Sequence, residues 1–290
     1  MTGRSGDARK CCMDSCGNMH NGARRRFAEI FPRVAKPLIA MAHVPALPGT
    51  PLYDEVGGMK AIVAHVREEV SVLVDAGFDA VLFCNENDRP YELHADLAAA
   101  AALTRVVAEA APEDVPFGVD YLWDAECALA VAAVTGASFM REVVAGSFES
   151  DMGSWSLDAA ALFRRRRSLC AEHLAVFVNV TPEFASTTGR RSATEFARSV
   201  VISSIPDAVL VSGPMAGVQP SISTLAEVSA AVASNVPVLL NTGARADNIA
   251  EFLEYADGCI VGSWLKVDGS TWNRVDPERA KVFVQAARSA

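Results

Sequence analysis

Polar residues that close short apolar runs are what this sequence offers for chemistry. His43, Glu86 with Asn87 and Asp88, Asp120, Asp124, Arg141, Glu142, Asn179, Thr181 and Ser212 all stand at or just past the end of such a run. Carboxylates dominate the set. Two carboxyl groups in one apolar-walled cavity drive each other's pKa apart, so that one can act as base while the other acts as acid. Glu86 and Asp120, from consecutive runs, are the pair expected to do so. Arg141 suits an orienting role, because its planar fork grips carboxylates and anionic substrate groups; it equally suits a salt bridge across a rim. His43 is an acid/base candidate or a core histidine bonded to backbone. Asn87, Asp88, Asn179 and Ser212 are expected to contact substrate, although Asp88, just before Arg89-Pro90, also suits shaping a loop.

A second constellation points to phosphate. Asn241-Thr242-Gly243-Ala244 follows one apolar run and Gly262-Ser263 follows the next. Glycines allow close backbone approach to an anion, small hydroxyls add donors, and amides near a helix start carry partial positive charge. The expected cradle is therefore Thr242, Gly243, Ala244, Gly262 and Ser263, with Lys266 closing over the same ligand.

The elements that must position these residues alternate regularly. Strands are expected at Leu38–Val44, Ala80–Cys84, Phe117–Leu122, Phe139–Val143, Val176–Val180, Ala208–Val211, Val236–Leu240 and Cys259–Val261, nearly all apolar, as when both faces are covered. Helices are expected near Met59–Ala76, Leu97–Ala111, Glu126–Thr135, Asp158–Glu172, Ala193–Ile202, Ile222–Ala233, Ala246–Tyr255 and Pro277–Ala287. Eight such units imply an α/β fold, a (β/α)8 TIM barrel over 31–290. An open doubly wound sheet would show a glycine-rich turn after its first strand, where this chain has Pro45-Ala46-Leu47-Pro48-Gly49-Thr50-Pro51. Residues 1–30, polar and without apolar periodicity, are expected to form a disordered, dispensable arm. Cys84, Cys127, Cys170 and Cys259 read as core, and Arg164–Arg167 as a solvated helix face.

Twenty-six Lys and Arg against thirty-five Asp and Glu give a net charge of −9. Eight basic and three acidic residues fall in 1–36, so the remainder carries −14. Such a body repels nucleic acid, and no run is apolar enough to insert in a membrane. A cytoplasmic location with reduced thiols fits the odd count of seven cysteines. Cys11, Cys12, Cys16 and His20 lack zinc-site spacing, so no metal site is assigned. Mg²⁺ is the cation that converging carboxylates and a substrate phosphate would suit. No other cofactor is expected, and association into a homo-oligomer is.

Three segments carry a resemblance: Met41-Ala42-His43-Val44-Pro45-Ala46-Leu47-Pro48-Gly49, Glu86-Asn87-Asp88-Arg89-Pro90, and Ala256-Asp257-Gly258-Cys259-Ile260-Val261-Gly262-Ser263-Trp264-Leu265-Lys266. Together they resemble the BtpA/SgcQ family over roughly Phe31 to Ala287. The resemblance implies a TIM barrel and a predicted enzyme of poorly defined chemistry, with one member associated with photosystem I accumulation. A phosphoribosylanthranilate isomerase label carried by some relatives does not suit this chain, since that isomerase uses a strand-one Cys and Leu38–Val44 has none. The family's Asp-Val-x-Val-Lys-His after strand five is here Asn179-Val180-Thr181-Pro182-Glu183-Phe184, and a family Asn appears as Asp120. If the Lys and His are catalytic in relatives, this chain acts on a different substrate or not at all. The leading expectation is an enzyme acting on a small phosphorylated metabolite, a sugar phosphate or nucleotide-like molecule, by isomerisation, aldol-type cleavage or glycosidic cleavage. The rival is a non-catalytic assembly or stability factor.

Overall fold

The computed structural model describes residues 22–290. Eight parallel strands close into a barrel: β1 (Leu38–His43), β2 (Ala80–Cys84), β3 (Phe117–Asp120), β4 (Phe139–Glu142), β7 (Ala175–Asn179), β9 (Ala208–Val211), β10 (Val238–Leu240) and β11 (Cys259–Val261). Every residue of these strands is buried, because one face packs inside the barrel and the other meets the helices. This explains the near-continuous apolar runs. The surrounding helices are α2 (Gly58–Asp75), α3 (Leu97–Ala110), α4 (Ala125–Thr135), α5 (Ala159–Ser168), α6 (Ala193–Ser203), α7 (Ile222–Val232), α8 (Ile249–Leu253) and α9 (Pro277–Arg288). The (β/α)8 architecture read from the sequence is the one observed.

A recurring device sets the strand starts. Asp79, Asp207 and Asp257 each precede a barrel strand and accept a backbone N–H at the start of the strand beside it, from Leu38 at 2.7 Å, Val176 at 2.8 Å and Val238 at 2.9 Å. These bonds satisfy amides at the barrel bottom that would otherwise be orphaned.

The expectation of a disordered arm over 1–30 is corrected for its last third. Residues 22–30 form a helix, α1, that closes the barrel bottom. Phe27 meets Phe177 and Phe31 meets Phe139 at ring-centroid distances of 5.9 and 6.2 Å, beneath the stacked Phe139–Phe177 pair. Arg26 pairs with Asp207 at 3.0 Å and Arg24 with Asp257 at 3.3 Å. The apolar stripe of α1 is only Ala23, Phe27 and Ile30, set among arginines, so tertiary contact rather than periodicity orders it. Residues 1–21, with Cys11, Cys12, Cys16 and His20, lie outside the described residues.

Three other local expectations change. Cys170 is exposed. Arg166 is buried, donating to Ala171 O at 3.2 Å, while its neighbours in the arginine run are exposed. A small antiparallel sheet of β5 (Ser147–Ser150), β6 (Gly153–Ser156) and β8 (Ala185–Thr187) interrupts the βα alternation after β4 and β7. Its buried Phe148 and Trp155 pack together at 5.8 Å. Strands this short, in a serine-rich stretch, carry almost no periodic signal.

Candidate active site

A cavity of about 500 Å³ opens at the C-terminal ends of the strands, the face where barrels of this kind carry their sites. One side is built by the turns after β10 and β11. Gly243 has φ +71°, and a Cβ there would lie 2.1 Å from the Gln219 amide nitrogen, so both backbone conformation and space demand glycine. The loop after β9 is tied onto this turn: Gly213 N–H donates to Thr242 Oγ1 at 2.7 Å, and that hydroxyl donates to Val218 O at 2.8 Å. Ser263 and Thr271 bond through their hydroxyls at 2.7 Å. The Thr242 and Ser263 hydroxyls are therefore engaged with neighbouring loops. What remains is backbone: no hydrogen bond among the described residues uses the amide N–H of Thr242, Gly243, Ala244, Gly262 or Ser263. Because α8 begins only at Ile249 and spans five residues, the amides of Thr242–Ala244 belong to a turn and not to a helix start, whereas those of Gly262 and Ser263 open a single 3-10 turn, Ser263–Leu265.

Two arginines line the same side. Arg245 is held by Gln219 Oε1 and Asp247 Oδ1, each at 2.9 Å. Arg279 donates to Trp264 O at 2.7 Å, with its guanidinium 4.4 Å from the Trp264 ring centroid. Free amides beside two oriented guanidinium forks match the geometry by which proteins hold phosphate.

The other side carries carboxyl groups. Glu86 follows β2 by two residues; Tyr91 Oη donates to its Oε1 at 3.2 Å, and Cys84 Sγ and His43 Nε2 lie 3.7 and 3.9 Å from its Oε2. Burial pushes the Glu86 carboxyl up to about 7, with Glu183 and Asp120 adding to the rise and Arg141 opposing it. Burial and the charge of Lys266 push His43 down to about 3, so its ring is neutral at neutral pH. A carboxyl that titrates near neutrality beside a neutral imidazole suits proton transfer.

Glu183, from the loop after β7, also lines the cavity. Its Oε2 accepts from Asn179 Nδ2 at 2.9 Å and its Oε1 from Asn241 Nδ2 at 3.3 Å, and burial raises its pKa. Asn241 also donates to Ser212 Oγ at 2.8 Å and accepts from Arg141 Nη1 at 3.2 Å. Arg141 Nη2 lies 2.6 Å from Asp120 Oδ2. Arg141 thus reaches from β4 to the end of β10 across the barrel and forms part of the cavity floor.

Of the residues singled out in the sequence, His43, Glu86, Arg141, Thr242, Gly243, Ala244, Gly262 and Ser263 line this cavity. Asp120 does not; it is fully buried against Arg141 and positions that residue. Asn179 and Ser212 hold Glu183 and Asn241. Asp88 accepts from Leu47 N–H at 2.7 Å and Asn85 Nδ2 at 3.1 Å, bracing the proline-rich loop. Asn87 donates to Val44 O at 2.9 Å and faces a side pocket of about 300 Å³, which Lys266 also lines. Lys266 is buried against Glu69 at 2.7 Å, turned toward α2 and away from the cradle, because burial of its ammonium requires that carboxylate. Glu183, Phe184, Trp123, Arg245 and Arg279 were missed. Arg245 adjoins Ala244 and was within reach of the loop argument; Arg279, in the first turn of α9, carries no such signal. Among the described residues no group of three or more His, Cys, Asp or Glu is arranged to hold a metal ion, and no helix is long and apolar enough to cross a membrane.

Comparison with known proteins agrees with this architecture. Residues 34–289 match the BtpA family, and the chain belongs to it. The putative sgc region protein SgcQ of Escherichia coli K12 is 35% identical over 251 residues, 86% of this chain and 93% of that protein. The photosystem I biogenesis protein BtpA of Synechocystis is 30% identical over 254 residues, covering 86% and 87%. Among solved structures, N-(5′-phosphoribosyl)anthranilate isomerase from Pyrococcus furiosus superimposes with a TM-score of 0.52 at 16% identity, over 88% of this chain and all of that one. That similarity is one of fold.

Proposed function

We propose that this BtpA-family barrel is an enzyme that binds a small phosphorylated metabolite and works on it by proton transfer through Glu86. The observation that carries this reading is the meeting, in one cavity, of two kinds of group: the unengaged amides of residues 242–244 and 262–263 with Arg245 and Arg279, and a buried carboxyl that titrates near 7. Glu86 is the base, His43 its neutral neighbour, and Arg141 the group that orients substrate above the floor. Asp120 holds Arg141 in place and takes no part in proton transfer. Mg²⁺, if used, would arrive with the substrate phosphate.

A non-catalytic role in assembly is the second reading, and its support is that the Synechocystis relative is named a photosystem I biogenesis protein. A buried carboxylate cluster with a cationic opposite wall has no evident use in a scaffold. The discriminating experiment is a thermal-shift screen of phosphorylated sugars and nucleotides against their unphosphorylated counterparts, with and without Mg²⁺, since a ligand that binds only the native state raises its melting temperature. Stabilisation confined to phosphorylated compounds, with turnover abolished by Glu86→Gln, is expected. Equal responses to both sets would remove the phosphate from this reading, and turnover unaffected by Glu86→Gln would remove the base.

A further inference from the structure

Opposite the phosphate cradle the cavity changes character, and this end is not explained by acid/base chemistry alone. In the closed strand order β3 faces β10 across the barrel, so Trp123, which follows β3, stands across the mouth from Thr242–Ala244. Phe184 completes this wall. Its backbone is held at φ +58°, a conformation that bulky residues rarely adopt and that clusters at functional sites. Two hydrogen bonds brace it there: Phe184 N–H donates to Pro214 O at 3.0 Å, and Phe184 O accepts from Asp151 N–H at 3.1 Å.

The groups at this end are of two kinds. Trp123 is buried, with its indole Nε1 closed off from the cavity, so that it offers this wall an apolar ring. Glu183 is an acceptor fixed in orientation by two amide side chains and lining the cavity. The Trp123 and Phe184 rings stand 6.5 Å apart at 76°. A flat ligand ring lying on Phe184 would therefore be roughly perpendicular to the indole.

Resting on the phosphate reading above, we infer that the ligand is a phosphorylated sugar bearing a planar nitrogenous ring, with the ring seated on Phe184 beside the Trp123 indole and its N–H groups donating to Glu183. The phosphate and the ring then occupy opposite sides of the mouth and the sugar lies between them, beside Glu86. A sugar phosphate without the ring would leave the aromatic wall uncovered and the Glu183 acceptor without a ligand donor, which disfavours it.

Isothermal titration of the full chain with ribose 5-phosphate and with the four ribonucleoside 5′-monophosphates tests this. At least one nucleotide should bind about tenfold or more tightly than ribose 5-phosphate, the factor that a single stacked base contributes. Glu183→Gln, nearly isosteric, should reduce that nucleotide to the affinity of ribose 5-phosphate, and Phe184→Ala should weaken it, with melting curves confirming that both variants fold. If ribose 5-phosphate binds as tightly as every nucleotide, or if both variants keep the full advantage, the ring proposal is overturned while the phosphate site stands. If no phosphorylated probe binds, both fall together.

Discussion

Arg141 Nη2 lies 2.6 Å from Asp120 Oδ2 with both side chains buried, and the other guanidinium nitrogen reaches Asn241 on the opposite side of the barrel. One ion pair thus ties β3, β4 and β10 together directly under the cavity. Removing one partner of a buried pair leaves a charge without compensation and costs about 3–5 kcal/mol. Arg141→Met should therefore destabilise the fold by that order in denaturant titration. The double variant Arg141→Met/Asp120→Asn should recover part of the loss, because the two residues are coupled. Additive losses would show that the pair is not energetically linked.

Glu86 makes a prediction that needs no substrate. Its carboxyl titrates at about 7 in the fold against an ordinary value of 4.5, so the native state keeps a proton that the unfolded chain has already released. Stability from this group is complete below about pH 4.5, falls as pH rises to about 7, and is level above that. The whole shift corresponds to about 3 kcal/mol. Glu86→Gln should melt several degrees above the parent at pH 8 and equally with it at pH 4.5. A variant less stable at pH 8 would contradict the raised value.

Arg245 and Arg279 should be separable from folding. Each is partly exposed at the cavity edge, and hydrogen bonds to charged groups contribute about 1.5–3 kcal/mol. Arg245→Ala and Arg279→Ala should each weaken inorganic phosphate by about tenfold or more, with melting temperatures close to the parent's. Unchanged phosphate affinity in the double variant would place the anion elsewhere.

The helix α1 is expected to be required for the fold. A chain beginning at Phe31 loses Phe27, the Arg26–Asp207 pair and the Arg24–Asp257 pair. Phe27→Ala alone should cost about 3–5 kcal/mol, the range for buried Phe truncations. A chain starting at Phe31 that melts like the full-length protein would show that α1 only rests on the barrel.

The barrel was legible because strands buried on both faces must read as uninterrupted apolar runs, and Gly243 because a position with φ +71° crowded by the Gln219 backbone leaves no room for a side chain; Gly262 is held more loosely, with His43 and Met41 side-chain atoms 3.0–3.1 Å from where a Cβ would lie. Pairing at a distance was not. Glu86 and Asp88 are two residues apart in one loop, yet one reaches the cavity and the other braces the Leu47 amide. Lys266 and Arg279 are both basic residues beyond β11; only the closure of α2 against that segment decides that Lys266 serves Glu69 and that Arg279 faces the cradle. Glu183 was visible only as a departure from the family pattern, because its role depends on Asn179 and Asn241 meeting it from separate strands.

The most direct measurement is a crystal structure of the protein soaked with ribose 5-phosphate. The phosphoryl oxygens are expected within hydrogen-bond reach, about 2.7–3.2 Å, of amides in Thr242–Ala244 and Gly262–Ser263, with Arg245 or Arg279 turned onto them and the sugar directed toward Glu86. A phosphate bound outside this cavity, or one with its sugar pointing away from Glu86, would contradict the site proposed for this family member.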